Sequence, residues 1–137
     1  MLREQAIASL LISAEDRPPH AAPFFAYLFD NAQNDATGLK FGSFHTAEVP
    51  YVFGTTARAI VSPRAIDRKL ERTIGRYWTN FIRTGNPNGA GLPAWPSLAT
   101  VKLMLLGKSP HAQRPMASER LFNYRLFVRN GGRLSLF

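Results

Sequence analysis

Among the side chains able to do chemistry in this chain, His45 has the most specific setting. It lies in Gly42-Ser43-Phe44-His45-Thr46-Ala47-Glu48-Val49-Pro50-Tyr51-Val52-Phe53-Gly54, between two glycines, with an acid three residues on and aromatic and β-branched side chains behind it. An imidazole so placed has three uses open to it: general base, metal ligand, or a ring hydrogen-bonded to a carbonyl for structure alone. Metal ligation is disfavoured. The chain has no cysteine, and the other two histidines, His20 and His111, are too scattered to form a local ligand cluster. His20 follows Pro18-Pro19 and His111 follows Pro110, and both read as exposed loop residues.

The elements that must position His45 can be read from pattern. Pro23-Phe24-Phe25-Ala26-Tyr27-Leu28-Phe29-Asp30 is apolar without alternation, which predicts a strand covered on both faces, as in the interior of a parallel sheet flanked by helices. The polar stretch from Asn31 to Gly38 then predicts a loop leaving the carboxyl end of that strand, where open α/β sheets place their binding and catalytic groups. His45 comes just after it.

Downstream, Ser62-Pro63 predicts a helix start, with a hydroxyl N-cap and proline at the first helical position. Ile66, Leu70, Ile74, Tyr77, Trp78, Phe81 and Ile82 follow at steps of three and four, a stripe that belongs in a core. Gly85 and Pro87 close the helix, because glycine takes the left-handed conformation freely and proline prevents resumption. Arg68, Arg72 and Arg76 fall on the opposite face, which reads as solvated and partly balanced by Asp67 and Glu71. Elsewhere the pattern predicts a short helix over residues 3–14, a rigid extended Leu92-Pro93-Ala94-Trp95-Pro96 with an indole to bury, and a short strand over residues 101–106 ended by Gly107. Residues 108–115 read as loop, and the apolar residues between 121 and 128 as helix or strand.

At 137 residues the chain is one domain or part of one. The net charge of +8 is spread from Arg3 to Arg133 without a run of five like charges, so a solvated basic surface is expected. No nucleic acid partner is expected either, since the main helix puts its aromatics on the buried stripe and its arginines opposite. No run approaches the ~20 apolar residues of a membrane span, and the start lacks a signal core, so the chain reads as soluble with no export signal of its own.

Four blocks, in order, carry a resemblance. Phe25-Ala26-Tyr27-Leu28-Phe29-Asp30, the His45 stretch, Tyr77-Trp78-Thr79-Asn80-Phe81-Ile82-Arg83-Thr84-Gly85-Asn86-Pro87-Asn88-Gly89 and Leu92-Pro93-Ala94-Trp95-Pro96 together resemble the C-terminal part of the type-B carboxylesterases, the family of the cholinesterases and para-nitrobenzyl esterases. The match is strongest over residues 24–96. It implies an α/β class, the C-terminal portion of an α/β-hydrolase fold, with residues 1–137 forming part of one domain: the last strand of the common sheet, the catalytic-histidine loop and amphipathic helices. His45 falls on the family's catalytic histidine, the base of a Ser-acid-His triad, and Glu48 on an acidic position that is not the triad acid. Glu48 is expected to hold the loop. No G-x-S-x-G and no glycine-rich oxyanion loop occur in this sequence, and Asp30 and Asp35 sit in the wrong loop to replace the triad acid. The resemblance therefore implies a chain that needs an upstream portion to act on a carboxylic ester; no cofactor is expected, and no metal, given the absence of cysteine and the scattered histidines. The alternatives are a non-catalytic interaction module and a basic nucleic-acid binder.

Overall fold

The structure, a computed structural model, describes residues 2–134. The chain forms two compact units, one from Met1–Ala26, Pro96–Leu103 and Gln113–Phe137, the other from Tyr27–Trp95 and Met104–Ala112.

In the first unit, helix α1 (Leu2–Glu15) buries Ile7, Ala8 and Leu11, residues at the helical spacing of three and four. Asp16-Arg17-Pro18-Pro19 follows, and the prolines cannot continue the helix. The C-terminal apolar segment proves to be a helix, here labelled α6 (Ser118–Arg129), with Leu121 buried. Two ion pairs join these helices: Arg120 Nη2 to Glu4 Oε2 at 2.8 Å, and Arg125 to Glu15. Both are exposed, and such pairs contribute little singly. The backbone N–H of Leu98 donates to the carbonyl of Phe24 at 2.7 Å, tying the segment before β1 to a single turn of 3-10 helix over Leu98–Thr100.

The second unit holds the sheet. Strand β1 (Tyr27–Asp30) pairs in parallel with β2 (Leu103–Gly107), Tyr27 opposite Met104 and Asp30 opposite Gly107, and β3 (His111–Gln113) completes the order β1-β2-β3. Parallel neighbours require a long crossover. Helices α2 (Ala36–Phe41), α3 (Val49–Val52), α4 (Thr56–Ala59) and α5 (Ala65–Thr84) supply it.

Several expectations need correction. The strand expected over residues 24–29 begins later, and Tyr27, Leu28 and Phe29 are only half-buried, because β1 is an edge with no strand on its outer side among the described residues. The stretch from Asn31 to Gly38 is not all loop. Asp35 caps α2 by accepting the Gly38 N–H at 2.7 Å, a turn open only to glycine at residue 38, since a Cβ there would lie 1.9 Å from the Gln33 carbonyl oxygen. Residues 108–115 include β3 as well as loop.

Helix α5 starts at Ala65 rather than Pro63. Its N-cap is Arg64, whose backbone N–H is taken by the Asp67 carboxylate at 2.7 Å, while Ser62 lies outside the helix at φ 55°. Leu70, Ile74 and Tyr77 are buried as the stripe requires, with Arg68, Arg72 and Arg76 outward. Trp78 is half-buried, and the stripe ends in the open: Phe81 is 47% and Ile82 79% exposed. Gly85 closes the helix at φ 73°, as its position predicts.

Candidate functional site

His45 sits on the turn between α2 and α3. Helix α2 ends at Gly42, at φ 65°, whose N–H returns to the Gly38 carbonyl at 2.9 Å. The chain then turns tightly: the Ala47 N–H reaches the Phe44 carbonyl and the Val49 N–H the Thr46 carbonyl, each at 3.1 Å. Ala47 is buried and acts as the foot of the turn, which leaves the His45 side chain exposed. Its imidazole has no hydrogen-bond partner among the described residues. His45 thus lies in the connection that follows β1 in the chain, after helix α2.

Thr46 holds this turn at φ 74°. For a β-branched residue that is a true outlier, because Cβ crowds the following carbonyl, at a cost of about 1–2 kcal/mol. Replacing Thr46 with glycine should therefore stabilise the chain by about 1 kcal/mol, the rest being returned as unfolded-state entropy. Urea unfolding measures it, and a loss of stability would contradict the strained turn.

Glu48, three residues on, is half-buried, and the Tyr27 hydroxyl lies 3.5 Å from its Oε1, at the long limit of a hydrogen bond. Burial, then the Glu48 charge, pushes the Tyr27 hydroxyl pKa up. Of the other residues weighed from sequence, His20 and His111 are exposed, the latter with Nδ1 2.8 Å from the Ser109 carbonyl oxygen, and Asp35 is the α2 cap. Among the described residues no group of three or more acids and histidines is placed to hold a metal, and no helix is long and apolar enough to cross a membrane.

At the two ends of the segment that carries this turn, Asn31 and Tyr51 join an arrangement that sequence reasoning missed. Asp67, fully buried, accepts from Asn31 Nδ2 at 2.7 Å, Tyr51 Oη at 2.9 Å and Arg64 Nη2 at 2.9 Å through Oδ1. Its Oδ2 accepts the Arg64 N–H at 2.7 Å and Arg64 Nε at 2.8 Å. The remaining Asn31 amide hydrogen goes to Tyr51 Oη at 2.8 Å, and Arg64 Nη2 also reaches the Ala32 carbonyl at 2.8 Å. Asp67 was expected to balance the outer arginines. Instead it faces inward, drawn by the bidentate fork of Arg64, and Glu71 accepts from the Thr56 hydroxyl. The only sequence signal was an acid at the third position of a helix.

Burial alone would push the Asp67 carboxyl up, but the hydrogen bonds from Arg64, Asn31 and Tyr51 outweigh it and hold the group well below the usual carboxylate range. The Tyr51 hydroxyl moves the other way, raised by burial and then by Asp67. With its folded pKa depressed, Asp67 binds its proton more readily in the unfolded chain, so its contribution is full above about pH 5 and is lost as pH falls through roughly 4 towards the folded value. Asp67→Asn should accordingly be less stable at pH 7 yet show a flatter loss between about pH 5 and 2. Urea unfolding across that range checks it; equal slopes in the two proteins would contradict the account.

A parallel strand pair with a helical crossover is a partial α/β arrangement, and its likeness to a solved PNB esterase makes it the C-terminal portion of an α/β-hydrolase fold. The chain belongs to the carboxylesterase family, whose pattern it matches over residues 5–122. It is 35% identical over 105 residues to an acylcarnitine hydrolase of Rattus norvegicus, covering 73% of this chain and 19% of that protein. It is 45% identical over 65 residues to an acetylcholinesterase of Danio rerio, covering 47% of this chain and 10% of that protein. Among solved structures it is similar to a PNB esterase, with a TM-score of 0.57 and 27% identity over 77% of this chain and 22% of the other. The chain thus spans less than a quarter of each of these relatives.

Proposed function

We propose that this chain is the C-terminal portion of a serine carboxylic-ester hydrolase and that His45 is its general base. The observation that carries the reading is an exposed imidazole with no partner among the described residues, set on a tight turn in the connection that follows β1 in the chain. Relatives named as an acylcarnitine hydrolase and an acetylcholinesterase support acyl-ester hydrolysis as the reaction. In that reaction the His45 imidazole takes the serine proton as the hydroxyl attacks the ester carbonyl, then gives it to the departing alcohol. It next takes a proton from the water that attacks the acyl group and returns it to the serine oxygen as the acyl–serine bond breaks and the acid leaves. The serine, the triad acid and the oxyanion donors come from an upstream portion, because no segment of this sequence has their motifs.

Two features support association with such a portion. The outer edge of β1 is unpaired among the described residues, and an open edge is a template for another strand. Leu39, Phe41, Val49 and Phe53, on either side of His45, are large apolar side chains left exposed.

Hydrolysis of a short-chain nitrophenyl ester tests the proposal. The 137-residue chain by itself should be no faster than free imidazole at equal concentration. Fusion to, or co-expression with, the upstream portion of a carboxylesterase of this family should give saturable turnover. Saturable turnover by the chain alone would mean that a serine and an acid within it serve, and would overturn the division of labour.

A further inference from the structure

The segment that bears His45 leaves the sheet at Asn31 and runs to the buried Tyr51 of α3. Both of those side chains end on one carboxylate oxygen: Asp67 Oδ1 receives Asn31 Nδ2 at 2.7 Å and Tyr51 Oη at 2.9 Å. The two also bond each other at 2.8 Å, so the base of the excursion closes as a three-membered polar knot. Asp67 is itself fixed to the first turn of α5 through the Arg64 N–H and guanidinium, and Arg64 holds the Ala32 carbonyl at the outgoing end. Asn31, Tyr51 and Asp67 are all buried, at 2%, 0% and 0% exposure, where competing water is excluded and each bond gains strength. A loop of about 20 residues closes at an entropic cost that a knot at its base offsets while leaving its tip free.

We infer that Asp67 is a positioning residue for His45, acting through Asn31 and Tyr51 to fix both ends of the segment that carries the imidazole. This rests on the reading of His45 as the base. A carboxylate serving only general stability would have no reason to collect the two ends of one loop, whereas a base that must meet a serine within hydrogen-bond reach gains rate from a fixed approach. The knot touches neither the imidazole nor any reacting atom. Its effect lies in where the turn of residues 42–48 is held.

The variant of choice is Tyr51→Phe, which removes one hydroxyl, conserves volume and leaves the Arg64–Asp67 pair intact. In the isolated chain, amide hydrogen exchange at Gly42, Ala47 and Val49 should rise about tenfold or more, with the amides of the C-terminal half of α5, Ile74 to Thr84, unchanged. A uniform rise through α5, or no change at the three turn amides, would overturn the inference. In the reconstituted esterase Tyr51→Phe should lower kcat about tenfold with KM unchanged. The same change made on top of His45→Ala should cost nothing more, as expected of a residue that acts only through that histidine. An equal loss in both backgrounds would also overturn the inference. Should His45→Ala itself leave the reconstituted enzyme intact, the general-base reading falls and with it the role inferred for Asp67, whatever the exchange at the turn.

Discussion

Replacing Trp95 with alanine should lower the unfolding free energy of the chain by about 3–5 kcal/mol. Trp95 is 4% exposed and sits at the centre of an aromatic cluster, its ring centroid 5.1 Å from Tyr77 in an edge-to-face contact and 6.0 Å from both Tyr27 and Trp78. Alanine would leave a cavity that three rigid rings on two different elements cannot close. The backbone on either side resists collapse as well: the Asn88 side chain brackets residue 95, accepting its N–H at 2.7 Å and donating to its carbonyl at 2.8 Å, and the Tyr77 hydroxyl donates to the Pro93 carbonyl at 2.6 Å. Burial pushes that tyrosine pKa up to about 12. Trp95→Phe, which keeps an aromatic plane, should lose less than half as much. Urea unfolding gives both numbers, and a loss below about 1 kcal/mol for the alanine variant would show that the cluster does not anchor this unit.

Trp95 was legible in the sequence because its signal is local: an indole between two prolines in an extended run must find cover or remain a liability. The same holds for α5, whose stripe and Gly85 stop lie within one stretch, and for β2. Trp78, on the same stripe, is less buried than its spacing implied, and Phe81 and Ile82 less still. Periodicity tells which side of a helix is apolar, not how far along the helix a neighbour extends.

The exposed flanks of His45 and the extent of cover on the faces of β1 were harder to foresee. A continuous apolar run reads as a strand buried on both faces, and whether both faces are covered depends on elements far from it in sequence. The Asp67 knot was invisible for a related reason. Asn31, Tyr51 and Arg64 lie 36, 16 and 3 residues away from Asp67, and each has an adequate local explanation as a loop residue, an apolar face or a surface charge. Only the fold makes one object of them. His45 is singled out in the sequence by the four ordered blocks rather than by any property of the imidazole itself.

The largest effect is expected at that residue. In the esterase reconstituted from this chain and an upstream family portion, His45→Ala should reduce kcat/KM for a nitrophenyl ester by about 10³-fold or more. The reason is the weakness of a neutral serine hydroxyl as a nucleophile: without a base in reach, the proton has nowhere to go as the bond to the carbonyl forms. Because His45 is exposed and makes no hydrogen bond among the described residues, its removal should not disturb folding, which urea unfolding at equal midpoint would verify. Substrate binding should also survive, since the imidazole acts on a proton and not on the ester's acyl or alcohol groups. The decisive measurement is therefore the turnover of the His45→Ala enzyme beside its parent, at matched stability. A loss on the order of 10³-fold with little change in KM is what the account predicts; a variant as active as its parent would contradict it.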